Sequence, residues 1–166
     1  MVGLKDTSSI THLLNVDLDI YSRADLQPLV AAPGKKVFAL YVGRDRRSYC
    51  AHLEIAKVTK TVDSTIRALC GLIQALPSAE RDLWNAARAR SLSVGIQAGR
   101  KPNPCDFTIG AKTVKTVSEL GAQIVLTLYP CEPTRKRKSH AERSPHQADK
   151  PPEWRSFTIK LRRSTG

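Results

Sequence analysis

Asp17 and Asp19 are spaced by two in a segment that alternates polar and apolar residues, and so are His52 and Glu54 in another. Alternate residues of an extended strand share a face, so each pair projects from one side of its segment. If the two segments are neighbours, three carboxylates and an imidazole converge. Such a set could ligate a divalent cation or act as a general acid–base pair. The solvent side of any half-exposed sheet carries polar residues in the same pattern without chemistry, so both readings stand at this point.

The other chemistry-bearing feature is cationic. Arg135, Lys136, Arg137 and Lys138 form an unbroken run, followed by Arg143 and later by Arg155, Lys160, Arg162 and Arg163. Residues 131–166 hold ten Lys and Arg against four Asp and Glu, so this last fifth of the chain supplies half of its net charge of +12. Lysines and arginines of this kind bind phosphates by releasing condensed counterions, an effect that ignores base sequence and weakens steeply with salt. Arg44, Arg46 and Arg47, in a polar connection between two strand-like segments, offer a second cationic point. A solubilising tail has the same composition.

Familiar catalytic signatures are missing. There is no Gly-x-Ser-x-Gly, no phosphate loop ending in Lys-Ser or Lys-Thr, and no Gly-x-Gly-x-x-Gly. Cys131, His140 and His146 are spaced unlike any zinc template and want a fourth ligand. No cofactor is therefore expected. Cys50, Cys70, Cys105 and Cys131 contain no Cys-x-x-Cys pair, and the N-terminus shows no secretion signal, so the thiols read as reduced and the location as cytoplasmic. No apolar run approaches the length of about 20 residues that a membrane helix needs.

Positioning these residues requires a core, and 41% hydrophobic residues with only 5% aromatics imply one built from Val, Leu, Ile and Ala. Val16, Leu18 and Ile20 alternate with Asp17, Asp19 and Tyr21, predicting a strand over 15–21. A helix is expected over 24–32, with Pro28 in its first turn and Asp25 as N-cap. Strands follow over 36–42 and 48–56, joined by a hairpin that puts three arginines on its tip. Ile66, Leu69, Ile73 and Leu76 predict an amphipathic helix over 62–76, capped by Thr61 or Asp63. A further helix over 78–90 carries Leu83, Trp84 and Ala87 on its apolar edge and Arg81, Arg88 and Arg90 on its polar side. Then come a strand over 91–98, a short helix over 111–120 stopped by Gly121, and a strand over 122–129.

This order predicts an α+β domain: a mixed or antiparallel sheet of about five strands with helices mainly on one face and the other face open. The expected organisation is an N-terminal extension over 1–14, the globular domain over 15–130, a basic disordered linker over 131–153 and a tail over 154–166. Phe157, Ile159 and Leu161 alternate in that tail, the pattern of a strand that docks on its own sheet or on a partner.

The stretch from Phe107 through Val114, Val117 and Leu120 to Gly121 and Ala122, and on to Leu128, Tyr129 and Pro130, resembles small uncharacterised bacterial α+β proteins. In these domain-of-unknown-function families a short helix ends in Leu-Gly-Ala and a strand ends in Tyr-Pro. The likeness spans roughly the first 130 residues and leaves out the basic tail. It implies the fold and a bacterial origin but no chemistry.

Three functional expectations follow. The leading one is a non-enzymatic binding protein, of accessory, inhibitor or immunity type, that meets a protein partner while its basic tail contacts a polyanion. The second is a nucleic-acid-binding protein whose tail, Arg44, Arg46, Arg47 and the helix with Arg81, Arg88 and Arg90 form one basic surface. The third is an enzyme using Asp17, Asp19, His52 and Glu54.

Overall fold

A computed structural model of the chain describes residues 10–57, 59–100 and 104–131. These form a five-stranded sheet: β1 (His12–Ser22), β2 (Val37–Asp45), β3 (Ser48–Ile55), β4 (Ala89–Gln97) and β5 (Gln123–Tyr129). Helices α1 (Gln27–Ala31), α2 (Val62–Gln74), α3 (Ser78–Ala86) and α4 (Ala111–Glu119) connect them. The spatial order is β2-β3-β1-β4-β5, with every neighbouring pair antiparallel except β4 and β5. The sheet is therefore mixed and the fold is α+β. None of the helices among the described residues is long and apolar enough to cross a membrane.

Strand β1 lies at the centre because its apolar side is the most regular, and Val16, Leu18 and Ile20 are all buried. Ala51 and Leu53 of β3 and Leu92, Val94 and Ile96 of β4 extend the same surface. Helix α2 covers it with Val62, Ile66, Leu69, Cys70 and Ile73, and α3 adds the fully buried Trp84. A core lined mainly by aliphatic side chains matches the scarcity of aromatic residues.

The ends of the helices follow local chemistry. Thr61 caps α2 in a reciprocal box with Ser64, leaving Asp63 in the first turn free to act elsewhere. Gly121, at φ 64°, ends α4: its N–H bonds Ser118 O at 2.9 Å and the N–H of Ala122 bonds Val117 O at 3.1 Å. Both bonds require the left-handed conformation that glycine adopts without strain.

Four expectations need correction. The helix expected over 24–32 spans only Gln27–Ala31 and is followed by a 3-10 turn, Gly34–Lys36. Its N-cap is Leu26, not Asp25, whose carboxylate instead accepts from the N–H of Gln27 at 3.0 Å. The helix expected to run to Arg90 stops at Ala86, because Ala87 turns extended and β4 begins at Ala89. In the hairpin, Gly43, Arg44 and Asp45 belong to β2, so only Arg46 and Arg47 occupy the tip.

Strand β1 starts at His12, inside the segment read as an N-terminal extension. The tail expectations, including Arg135, Lys136, Arg137, Lys138, Arg143 and the strand pattern at Phe157, Ile159 and Leu161, lie outside the described residues.

Candidate functional site

Cross-strand register brings the four candidate residues together. Strands β1 and β3 are antiparallel neighbours with Asp17 opposite Glu54 and Asp19 opposite His52. All four side chains stand on the face opposite α2, the side left open by the helices.

Asp19 is the hub. One of its oxygens lies 2.6 Å from His52 Nδ1, and the other accepts the Ser93 hydroxyl at 2.5 Å. Asp19 thus bridges β3 and β4 across β1. The order of the bonds matters chemically: Ser93 donates its hydrogen bond to Asp19, not to His52, so the trio lacks the serine–imidazole contact of a nucleophilic triad. The imidazole is also held between two rings, with Tyr21 edge-on at 5.9 Å and Tyr41 tilted at 6.1 Å between centroids.

Asp17 is held from its own strand, since Asn15 Nδ2 donates to both carboxylate oxygens at 3.0 and 3.1 Å. The Asn15 side chain, with the Tyr129 ring, leans over Gly95 of β4. A Cβ built on Gly95 would meet Asn15 Oδ1 at 2.7 Å and Tyr129 Cε2 at 3.5 Å. A side chain at this position would displace the Asn15 amide from the place it occupies over β4.

Burial raises the Asp17 pKa above the ordinary 3.8, and the Asp19 and Glu54 carboxylates push the same way, against the Asn15 bond and His52. A carboxyl with a raised folded-state pKa contributes stability that is complete below the unfolded value and is lost as pH rises through the folded one. Asp17→Asn is therefore expected to raise the melting temperature near pH 7 and to gain little near pH 3. A melting temperature at neutral pH that is unchanged or lowered would contradict this account of the site.

The rest of the face is aromatic. Phe38 and Tyr41 of β2 are 59% and 46% exposed, Tyr129 of β5 is 47% exposed, and Tyr21 of β1 is 36% exposed. Four of the nine aromatic residues in the chain stand on this face. Around the end of the sheet near Asn15, a groove of about 320 Å³ runs from Phe38, Glu54 and Asn15 on this face to Val16, Ile55 and Thr65 on the helix-covered side, and Lys57 also lines it. Its walls combine a ring, a carboxylate and a carboxamide.

Sequence reasoning found Asp17, Asp19, His52 and Glu54, and the structure brings them together. Ser93 and Asn15 were missed, though both occupy polar positions of their strands. Phe38 and Tyr41 were missed because β2 reads as continuously apolar, and its bulge between Ala39 and Tyr41 hides the alternation.

Of the basic surface expected from the tail, Arg44, Arg46, Arg47 and the helix with Arg81, Arg88 and Arg90, that helix carries only Arg81, because α3 ends at Ala86. Arg90 belongs to β4, and its guanidinium donates to Trp84 O at 2.9 Å and stacks over the Trp84 ring. Arg44 lies 5.5 Å over the ring of Tyr49. Both side chains are engaged within the domain.

Among the described residues, no three His, Cys, Asp or Glu side chains are gathered in a group that could hold a metal ion. Burial pushes the Cys70 thiol up to about 11 and also raises that of Cys50, so neither is a poised nucleophile. Cys105 and Cys131 are exposed free thiols. Set beside protein families, curated proteins and solved structures, the chain matches none, so its function has to be read from this geometry.

Proposed function

We propose that the protein is a non-enzymatic binding protein that recognises a protein partner with the open face of its sheet, receiving a Lys or Arg side chain of that partner between Phe38 and the carboxylates of Glu54 and Asp17. The observation that carries this reading is the composition of the face: a floor of carboxylates flanked by exposed aromatic side chains. Interfaces are enriched in aromatic residues, and a cation is drawn both by carboxylates and by the faces of rings. A phosphate backbone would be repelled by Asp17, Asp19 and Glu54, which sets this face apart from the cationic segment beyond residue 131. That segment adds, in the same proposal, a salt-dependent attraction to a polyanion.

The hydrogen-bonded Asp19, His52 and Ser93 have a positioning task in this reading. They tie β3, β1 and β4 together under the partner, so the face meets its ligand already ordered.

The test is recovery of a partner from nuclease-treated lysate of the source cell, followed by binding of the purified pair. Asp17→Lys combined with Glu54→Lys is expected to weaken binding by at least about tenfold, equivalent to 1.4 kcal/mol. Phe38→Ala should weaken it as well, and Arg46→Glu on the hairpin tip should leave it unchanged. Lys57→Ala gives the sign of the ligand's charge, since removing a cation from the groove should strengthen binding of a Lys or Arg side chain. Material that is retained only through nucleic acid, or a partner that ignores the charge reversals, would overturn the proposal.

A further inference from the structure

Strand β5 is an edge of the sheet, with β4 as its one neighbour among the described residues. Its sequence, Gln-Ile-Val-Leu-Thr-Leu-Tyr, contains no charge and no proline. Exposed edges are usually protected by lysines, prolines, bulges or covering segments, because unpaired N–H and C=O groups accept another strand. The opposite edge has such protection: β2 is bulged between Ala39 and Tyr41 and ends in Arg44 and Asp45. Strand β5 has none within its own residues.

The side chains of β5 are also unsatisfied. Ile124, Leu126 and Leu128 pair with Leu92, Val94 and Ile96 and so share the helix-covered face. Ile124 packs on the core, whereas Leu126 and Leu128 remain 64% and 66% exposed. On the other face Val125 and Tyr129 are 39% and 47% exposed.

Backbone and side chains point to the same residues. The carbonyl of Tyr129 accepts from the N–H of Ala98 at 2.9 Å, so Tyr129 and its alternates Thr127 and Val125 turn their backbone groups toward β4. Ile124, Leu126 and Leu128 then turn theirs outward.

We infer that β5 pairs antiparallel with β5 of a second copy of this chain, about a two-fold axis beside Leu126, joining two sheets into one of ten strands. The register is self-complementary. Leu126 meets Leu126 of the other copy in a hydrogen-bonded pair, Leu128 meets Ile124 on the helix side, and Thr127 meets Val125 on the open side. On the helix side apolar residues face apolar residues, as favourable cross-strand pairs require, while on the open side Tyr129 also meets Gln123. A charged strand would repel itself under the same symmetry, and this one is neutral. The two leucines, Val125 and Tyr129, taken from both copies with the paired backbone, amount to on the order of 1,000 Å², the size that a specific interface has to reach.

The experiment is sedimentation velocity on the full chain over a range of micromolar concentrations, with the secondary structure of each variant checked by circular dichroism. The wild type is expected to be a dimer that persists or tightens as salt rises, because salt screens repulsion between two strongly cationic chains. Leu126→Lys combined with Leu128→Lys should sediment as a folded monomer, and Phe38→Lys, on the open face of the other edge strand, should remain a dimer. Hydrogen exchange on the wild type supplies a readout that needs no variant: the amides of Ile124, Leu126 and Leu128 should be protected increasingly with protein concentration. A wild type that stays monomeric, a folded double-lysine variant that stays dimeric, or β5 protection that is independent of concentration would each overturn the inference, the last by assigning the edge to a segment of the same chain.

Discussion

Trp84→Ala is expected to cost about 3–5 kcal/mol of folding stability, the range for truncating a large buried aromatic side chain. Trp84 is completely buried, and its ring does more than fill space. Its Nε1 donates to Leu120 O at 3.0 Å, satisfying a carbonyl at the C-terminal end of α4, while Arg90 of β4 stacks on the ring and donates to the Trp84 carbonyl. One residue of α3 therefore ties together the end of α4 and the start of β4. Loss of the ring would leave a cavity, an unpaired carbonyl and a guanidinium without its platform. Trp84→Phe separates the terms, keeping most of the volume but not the hydrogen bond, and should cost about 1–3 kcal/mol. Urea denaturation followed by circular dichroism measures both, and a loss below about 1 kcal/mol for the alanine variant would show that the ring is not the keystone described here.

Asp63→Ala should cost about 2 kcal/mol, unusual for a residue in the first turn of a surface helix, because it removes an inter-helix cap. The Asp63 carboxylate belongs to α2 but accepts from Gly110 N at 2.9 Å and from Thr113 Oγ1 at 2.6 Å, both at the start of α4. Gly110 brings no side chain to cap α4, and Thr113 is buried, so the carboxylate from α2 supplies what α4 lacks. Arg67 adds an ion pair at 3.0 Å. The Thr113 and Gly110 bonds, then Arg67, hold the Asp63 pKa below the ordinary 3.8 against the opposing effect of burial. A lowered carboxylate pKa contributes stability that is present above the unfolded value and lost as pH falls through the folded one. Destabilisation by Asp63→Ala should accordingly shrink below about pH 4, in a denaturation series against pH. Asp17, with its raised pKa, has the opposite sign in the same range, so the two variants should diverge at neutral pH and converge in acid. Parallel pH profiles would contradict both assignments.

Much of the fold was legible because its signals are local. Val16, Leu18 and Ile20 announce a strand by their period, and Ile66, Leu69 and Ile73 announce a helix. Gly121 marks a helix end because few other residues tolerate its backbone conformation. The errors arose where a local pattern competes with a long-range demand. Arg88 and Arg90 follow a helical run without a break in propensity, yet the chain turns extended at Ala87. The N–H of Arg88 then bonds Tyr21 O at 2.8 Å, across 67 residues of sequence. Pairing with β1 overrides helix propensity, which is worth only tenths of a kcal/mol per residue.

By itself the sequence determined the alternation that sets Asp17, Asp19, His52 and Glu54 against the apolar residues of their strands, and hence that each pair shares a side. Only the tertiary structure decided that β1 and β3 are neighbours in a register placing Asp19 opposite His52, that Ser93 completes the cluster from β4, and that Phe38 and Tyr41 frame it. The reason is physical: the side-chain period along a strand is a property of the local backbone, whereas strand order and register depend on how all the apolar faces bury one another.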